Sequence, residues 1–288
     1  MKTSNQNQRF EAHVAVESTD DLPVDLLHKE TGLSKQQVKA AMTKGAVWYT
    51  RGRKTQRLRR AKRALRRGDE LHIYYDAHVL STVPAQPELL ADVGAYSVWN
   101  KPCGLLSQGS KWGDQCTVVR WAEQHLQPQR GAFIVHRLDR ATNGIIVVAH
   151  SKAMAAQLSA LFAERKIRKK YLAIVRGDFS GQSNPTRVDQ DIDGRSAVSE
   201  FSFKNLLADG EQSQLDVTIE TGRKHQIRRH LADLGYPVVG DRLYGSGAED
   251  GVDLQLTAYL LAFDCPVQNK PVEYRLPVAE FKILSYSE

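Results

Sequence analysis

The chain has 288 residues, 41% of them hydrophobic and 25% charged, which is typical of a globular protein with one large domain or two modest ones. Apolar runs stay well below the roughly 20 residues that span a bilayer, and the N-terminus lacks the apolar core of a secretory signal. The three cysteines form neither a CxxC pair nor a disulfide framework. These features predict a soluble protein of the reducing cytoplasm, with no membrane partner.

Positive charge is concentrated in one short segment. The formal net charge is +7, and residues 51–67 hold ten basic residues and no acidic one, whereas the rest of the chain holds 30 basic and 33 acidic residues. Because like charges in close proximity repel, such a cluster is better explained by a polyanionic partner than by solvation alone. Nucleic acid is favoured over a membrane surface, since no amphipathic stretch with large apolar residues adjoins the segment. A merely solvated basic face remains the alternative.

In chain order, the N-terminal part predicts a small module of strands and helices. Residues 9–17 (RFEAHVAVE) have the pattern of a strand. Ser34 is the predicted N-cap of a helix that Gly45 ends. A further strand at 71–75 (LHIYY) follows the basic segment. These elements predict a module over residues 1–80.

A stretch with two prolines predicts a linker over 81–92. The remainder, residues 93–288, has no internal repeat and is predicted as one larger domain. Its predicted helices and strands are interspersed irregularly, without the regular spacing of βαβ units, which predicts an α+β fold rather than a doubly wound one. The predicted strands are IIVVAH (145–150), YLAIV (171–175) and QLDVTIE (214–220), and the predicted helices begin after Ser151 and at His225.

The segment 136–144 (HRLDRATNG) carries the first candidate for chemistry. It directly precedes the predicted strand at 145–150 and places Asp139 between Arg137 and Arg140 in a polar loop. Catalytic groups concentrate in loops that a rigid scaffold positions. Asp139 is therefore a candidate catalytic acid. On these residues alone, an Asx-type turn in which Asp139 only caps the backbone is an equally good interpretation.

A second polar segment, 221–230 (TGRKHQIRRH), lies at the start of a predicted helix. Backbone N–H groups at a helix start can hold an anion. His225 and His230 are five residues apart, so they do not share a helix face, and no Glu of an HExxH site lies between them. The segment therefore indicates anion binding and argues against a zinc site.

Together these segments resemble the RluA/RluD-type RNA pseudouridine synthases, because five motifs of that family occur in family order. The matching segments are KPCGLL (101–106), HRLDRATNG (136–144), KYLA (170–173), TGRKHQIRRHLA (221–232) and GDRLYG (240–245). The N-terminal module similarly resembles an S4-type RNA-binding domain, with the usual Arg-Leu-Asp opening replaced by LPVD (22–25).

The resemblance implies an α+β catalytic domain with a mixed, largely antiparallel central sheet and flanking helices. It implies an isomerase that breaks the N-glycosidic bond of a uridine in structured RNA and rejoins the base to ribose through carbon. No cofactor or metal is expected, and the expected state is a monomer. Ribosomal RNA is favoured as the partner. The alternatives are a tRNA-directed synthase and a catalytically vestigial RNA-binding or ribosome-assembly protein.

The resemblance also assigns site residues position by position. Asp139 takes the place of the catalytic aspartate, and Arg223 that of the buried arginine that pairs with it. Tyr171 corresponds to the active-site tyrosine, and Arg137 to the arginine that fills the gap left by an extruded nucleotide. The other expected RNA contacts are Arg140, Lys170 and His225 in the larger domain, and Arg57, Arg59, Arg60 and Arg63 in the basic segment.

Overall fold

The chain folds into two compact units, as described by a computed structural model. The described residues are 8–207, 210–246 and 251–277. The first unit comprises Met1–Pro84 and Gln108–Trp121, and the second comprises Ala85–Ser107 and the chain from Ala122 onward. The N-terminal residues that argued against a secretory signal, and the last residues of the predicted larger domain, lie outside the described ranges. Within those ranges no helix is long and apolar enough to cross a membrane.

The first unit is built around an antiparallel sheet. Its elements are β1 (Arg9–Ala15), α1 (Pro23–Thr31), α2 (Lys35–Thr43), β2 (Val47–Arg51), β3 (Lys54–Arg57), β4 (Glu70–Asp76) and α3 (Ala77–Ser81). The strand order is β1-β4-β2-β3. Ser34 caps α2 as predicted, since its hydroxyl accepts from the backbone N–H of Gln37 and the Gln37 side chain accepts in return from Ser34. The resemblance of this unit to an S4 domain stays a prediction.

The second unit is built around a larger mixed sheet. Its elements are β5 (Glu88–Asp92), β6 (Tyr96–Lys101), α4 (Val118–His125, in which the boundary between the units falls), β7 (Phe133–Ile134), β8 (Asn143–Ala149), α5 (Lys152–Ala163), β9 (Arg168–Arg176), β10 (Thr186–Asp189), β11 (Val198–Leu206), β12 (Gln212–Ile219), α6 (Gln226–Asp233), β13 (Leu256–Cys265) and β14 (Lys270–Arg275). The order is β10-β11-β12-β9-β13-β8-β6-β5, with β7 on β8 and β14 on β13. Of the described strand pairs, β8 and β13 alone are parallel. The predicted α+β class with a largely antiparallel sheet is confirmed.

The predicted linker over 81–92 is shorter in the structure. Residues 88–92 form β5, which pairs with β6 through Leu89 opposite Trp99. The proline-bearing stretch ends before Glu88, and the next residues gain a partner strand and pack against the core of the second unit. Only residues 82–87 lack regular structure. Gln108–Trp121, which the sequence assigned to the larger domain, belongs with the first unit.

The register of the second sheet brings the segments 136–144 and 170–173 together. Ala258 on β13 lies opposite Gly144, which follows the Asp139 loop, and also opposite Tyr171 on β9. Gly144 has φ of +112°, and a Cβ at this position would lie 2.2 Å from the carbonyl oxygen of Ala258. Glycine is therefore required for β8 to approach β13 this closely.

Replacing Gly144 with alanine should lower the free energy of unfolding by about 3 kcal/mol or more, because it adds both a backbone strain and a steric clash. Thermal unfolding followed by circular dichroism measures this. Gly181→Ala is the matched control, since a Cβ there meets nothing within 4 Å. Equal unfolding temperatures for the two variants would contradict the assignment.

Candidate active site

Asp139 lies in the loop between β7 and β8, and the backbone on both sides of it is held in place. The Ser107 hydroxyl donates to the carbonyl of Leu138 at 2.7 Å and accepts from the N–H of Leu138 at 3.0 Å. On the other side, the Arg140 carbonyl accepts from the N–H of Gly104 at 2.9 Å. These bonds fix the loop, while the Asp139 side chain stays 28% exposed toward a cleft.

Lys101 supports the same loop from inside the protein. Its side chain is fully buried, and Nζ donates to the carbonyls of Pro102, Leu105 and Arg140 at 3.0, 2.9 and 3.3 Å. Burial lowers the pKa of Lys101 to about 8, so the amine still carries three protons at neutral pH and matches three acceptors. The lysine of the KPCGLL segment is therefore a structural cation beneath the candidate acid.

An arginine and a histidine face the carboxylate of Asp139. Nη1 of Arg228, in the first turn of α6, lies 3.7 Å from Oδ2, and Nε2 of His225 lies 3.8 Å from Oδ1. The Arg228 side chain is only 5% exposed, and its Nε and Nη2 donate to the two oxygens of Asp241 at 2.7 Å each. Arg228 is thus clamped by one carboxylate and turned toward the other.

Asp241, from the GDRLYG segment, is the anchor of this arrangement. It is fully buried, and Oδ1 also accepts from the N–H groups of Leu243 and Tyr244 at 2.9 and 3.1 Å. Burial alone would raise the pKa of Asp241, but the hydrogen bonds and charge of Arg228 outweigh it and the pKa is lowered. Burial likewise opposes the charge of Arg228, whose pKa is nonetheless raised by Asp241. Both groups are therefore charged in the folded protein.

The predicted ion pair between Asp139 and Arg223 is wrong. Nε of Arg223 donates instead to the carbonyl of Ser196 at 2.9 Å, and Arg228 holds the position beside the acid. Arg223 lies in the turn before α6, whereas Arg228 lies within the helix, where Asp241 can fix it. The sequence analysis gave no role to Arg228 or Asp241, although both belong to segments that carry the resemblance. The signal that could have identified them is that one motif holds an arginine and another holds an acid able to pair with it.

The other predicted residues of the larger domain fall into two groups. Arg137, Tyr171, Arg223 and His225 line, with Asp139, one cavity of about 80 Å³. Arg140 lines a neighbouring cavity of about 490 Å³, which Asp139 also borders. Lys170 is the exception, because Nζ donates to Asp216 at 2.8 Å inside the sheet. Lys170 thus has an intramolecular partner, and its expected RNA contact stays a prediction.

Tyr171 and His225 have distinct environments within the cleft. Burial raises the pKa of Tyr171, and the charge of Asp139 raises it further, so the phenol is neutral. Burial lowers the pKa of His225, although Asp139 opposes this. His225 has φ of +56°, a conformation unusual for a side-chain-bearing residue, and its Nδ1 lies 2.9 Å from the hydroxyl of Tyr244. The strained backbone keeps the imidazole beside the acid.

Three of the four named arginines of the basic segment are engaged within the first unit. Arg57 and Arg59 both pair with Asp114, and the Arg57 guanidinium also lies 4.2 Å from the centre of the Trp48 ring. Arg63 lies over the ring of Tyr49 in the same way. Three of the four thus already have an intramolecular partner, and the RNA contact of all four stays a prediction. The exposed basic side chains are Arg53, Lys54, Arg60, Lys62, Arg66 and Arg67.

One group of potential metal ligands occurs among the described residues, in the first unit. His13 and His72 lie opposite each other on β1 and β4, with their Nδ1 atoms 2.8 Å apart. Nε2 of His72 lies 2.7 Å from the Thr50 hydroxyl. Both ring nitrogens of His72 are thus occupied by hydrogen bonds, and Asp139 is not part of this group.

Replacing Asp241 with asparagine should lower the free energy of unfolding by about 3 kcal/mol, because Arg228 would remain buried without its bidentate carboxylate. Chemical denaturation measures the loss. Asp193→Asn is the control, because its pair with Arg229 is exposed and contributes little to stability. Similar losses of unfolding free energy in both variants would show that the buried pair contributes no more to stability than the exposed pair.

Comparisons with known proteins show which family the chain resembles. A family model described as RNA pseudouridylate synthase matches residues 95–233. Ribosomal large subunit pseudouridine synthase D of Borreliella burgdorferi is 33% identical over 192 residues, and the chain spans 58% of its length. Dual-specificity RNA pseudouridine synthase RluA of Salmonella typhimurium is 34% identical over 195 residues, which cover 62% of this chain and 88% of that protein.

Solved structures agree on the fold. Human RNA pseudouridylate synthase domain containing 1 superposes with a TM-score of 0.57 and 24% identity, over 72% of this chain and 94% of that one. Human RNA pseudouridylate synthase domain containing 4 gives a TM-score of 0.54 at 22% identity, over 67% and 89%. The motifs, the relatives and the fold lead to one conclusion: the chain belongs to the RluA/RluD type of RNA pseudouridine synthases, isomerases that act on RNA.

Proposed function

We propose that Asp139 is the catalytic carboxylate with which this enzyme converts uridine to pseudouridine. The observation that carries the proposal is the contact of 3.7 Å between Asp139 and an arginine that Asp241 immobilises. A guanidinium close to a carboxylate favours its ionised form, and an ionised acid is required whether it attacks C1′, attacks the base or removes a proton from the sugar. The alternative of a vestigial centre does not account for a buried charged arginine aimed at an acid in an open cleft.

Tyr171 and Arg137 complete the proposal. The Tyr171 ring borders the same cavity as Asp139, and its neutral hydroxyl can take part in proton transfer at C5 while the ring stacks on the displaced uracil. Arg137 is exposed at the rim of the cavity, where a planar cation can replace the stacking lost by a flipped nucleotide.

We place ribosomal RNA first as the substrate and tRNA second. Relatives named for the large ribosomal subunit support the first choice, and relatives named as dual-specificity keep the second open. The same proposal locates the enzyme in the cytoplasm, where ribosomal RNA is made and assembled in bacteria. The modified position is left to experiment.

The decisive test maps pseudouridines in total RNA from cells with the gene, without it, and with the gene carrying Asp139→Asn. We expect at least one ribosomal RNA site to be lost without the gene and to stay unmodified with the variant, because the amide cannot ionise. Circular dichroism of the purified variant checks that it is folded. A folded Asp139→Asn protein that restores every site would refute the catalytic assignment, and a site found only in tRNA would favour the alternative substrate.

The basic segment generates a separate prediction about RNA affinity. Replacing Arg60, Lys62, Arg66 and Arg67 with glutamine should reduce the dependence of log K on log salt by about 0.7–0.9 for each phosphate that the protein no longer neutralises. Fluorescence anisotropy with ribosomal RNA fragments measures the slope. Lys270→Gln, an exposed lysine of the second unit, is the control. An unchanged slope in the fourfold variant would mean that this face does not meet RNA.

A further inference from the structure

A third cavity, of about 560 Å³, adjoins the cavity of about 80 Å³ that Asp139 lines. The two cavities share the side chains of Arg137, Tyr171 and Arg223, so one opens toward the other. The larger cavity has an apolar wall that includes Phe162. It is also lined by two further cations, Arg165 and Lys169. None of the motifs that identified the candidate acid gave a role to these three residues.

Cations outnumber acids in the lining of this cavity. Among the described residues, no carboxylate lies within ion-pair distance of Arg137, Arg165 or Lys169. Glu220 is the acid in the wall; its carboxylate pairs with Arg187 at 2.7 Å, and the charge of Arg165 acts with Arg187 to lower its pKa. Burial lowers the pKa of Lys169, and the charge of Arg165 lowers it further. Arg137 and Arg165 are exposed and Lys169 is half-buried. Cations gathered around one cavity attract an anionic ligand.

The backbone at Arg165 supports a role for its side chain. Arg165 follows the end of α5 with φ of +58°, while the N–H of Lys166 donates to Leu161 at 2.9 Å and that of Arg165 to Phe162 at 3.3 Å. This is the helix-ending position that glycine usually fills, because a Cβ is strained there. Residues that keep such strain cluster at ligand sites.

The apolar wall offers a stacking surface. The Phe162 ring stacks on the ring of His136, with centroids 4.4 Å apart. Burial lowers the pKa of His136 to about 3, and its Nε2 accepts from the N–H of Val147 at 3.0 Å, so this ring is a neutral and fixed support. An aromatic face beside a cluster of cations is the arrangement that binds a base together with its phosphate.

We propose that this cavity binds one nucleotide of the substrate strand adjacent to the target uridine, with its phosphate at Arg165 and Lys169 and its base against Phe162. The proposal rests on the proposed function, because it takes the Asp139 cleft as the place of the target. Lys169 and Tyr171 are two residues apart on β9 and point to the same face of the sheet, which links the two subsites on one strand. The neighbouring nucleotide would therefore contribute to site choice.

The test uses single and double variants Arg165→Gln and Lys169→Gln, with Lys152→Gln on the exposed part of α5 as the control. The probe is large-subunit ribosomal RNA from cells lacking the gene, labelled with tritium at C5 of uridine and followed by tritium release. We expect the double variant to raise KM about tenfold or more with kcat within a factor of two, and to reduce the salt slope by about 1. Lys152→Gln should match the wild type in KM and salt slope.

A second variant separates binding from folding. Arg165→Gly removes the cation and relieves the strained backbone, so it should unfold at the same or a higher temperature than the wild type while KM still rises. A short RNA containing the mapped site, with each flanking phosphate replaced in turn by a neutral methylphosphonate, locates the contact. One substitution should weaken the wild type and leave the double variant unaffected.

The outcomes distinguish a failure of the proposed function from a failure of the nucleotide subsite. No tritium release by the wild type or by Lys152→Gln, either from this RNA or from tRNA labelled in the same way, would refute the proposed function itself. Normal release by the wild type, with KM and salt slope unchanged in the double variant, would overturn the nucleotide subsite alone. A fall in kcat at constant KM, or methylphosphonate effects equal in wild type and double variant, would overturn it as well.

Discussion

The site depends on how Arg228 divides its guanidinium between two acids. A buried arginine is costly unless its charge is matched, and Asp241 matches it with two hydrogen bonds of 2.7 Å while two backbone N–H groups occupy the same carboxylate. The guanidinium cannot rotate away without leaving Asp241 buried and alone. Its remaining Nη1 atom is therefore held at 3.7 Å from Asp139, within ion-pair distance of the acid and too far to occupy it with a short hydrogen bond. An acid that must react with a substrate benefits from this separation.

The sheet supplies the second constraint, because it fixes how far apart Asp139 and Tyr171 can be. Ala258 on β13 is the common neighbour. Its strand pairs on one side with β8, which follows the Asp139 loop, and on the other side with β9, which carries Tyr171. Gly144 permits the close approach. The KPCGLL segment then holds the acid's own loop through Lys101. Lys101 and Asp241 thus act as supports, whereas other residues of the same motifs line the cleft.

Local features were predictable from the sequence, whereas partners distant along the chain were not. Ser34 and Ser151 cap helices because the cap needs only the next three residues. Arg228 rather than Arg223 lies beside the acid because Asp241 holds it, and Asp241 is brought to Arg228 by the fold of the helix and of the turn that follows it. Likewise the basic segment looks uniformly available until Asp114, more than fifty residues later, engages Arg57 and Arg59. A sequence shows how many cations a segment holds, and only the fold shows which of them already have counter-ions.

That distinction applies most clearly to two adjacent residues. Lys169 and Lys170 have the same side chain and neighbouring positions, but a β-strand turns successive side chains to opposite faces of the sheet. Lys170 meets Asp216, which also accepts from the Tyr259 hydroxyl, and its charge is matched within the protein. Lys169 meets Arg165 and no acid among the described residues, on the face that carries Tyr171. Since a folded protein gains little by gathering unmatched cations in a cavity, those that it keeps beside its candidate catalytic acid indicate the path of the phosphodiester backbone.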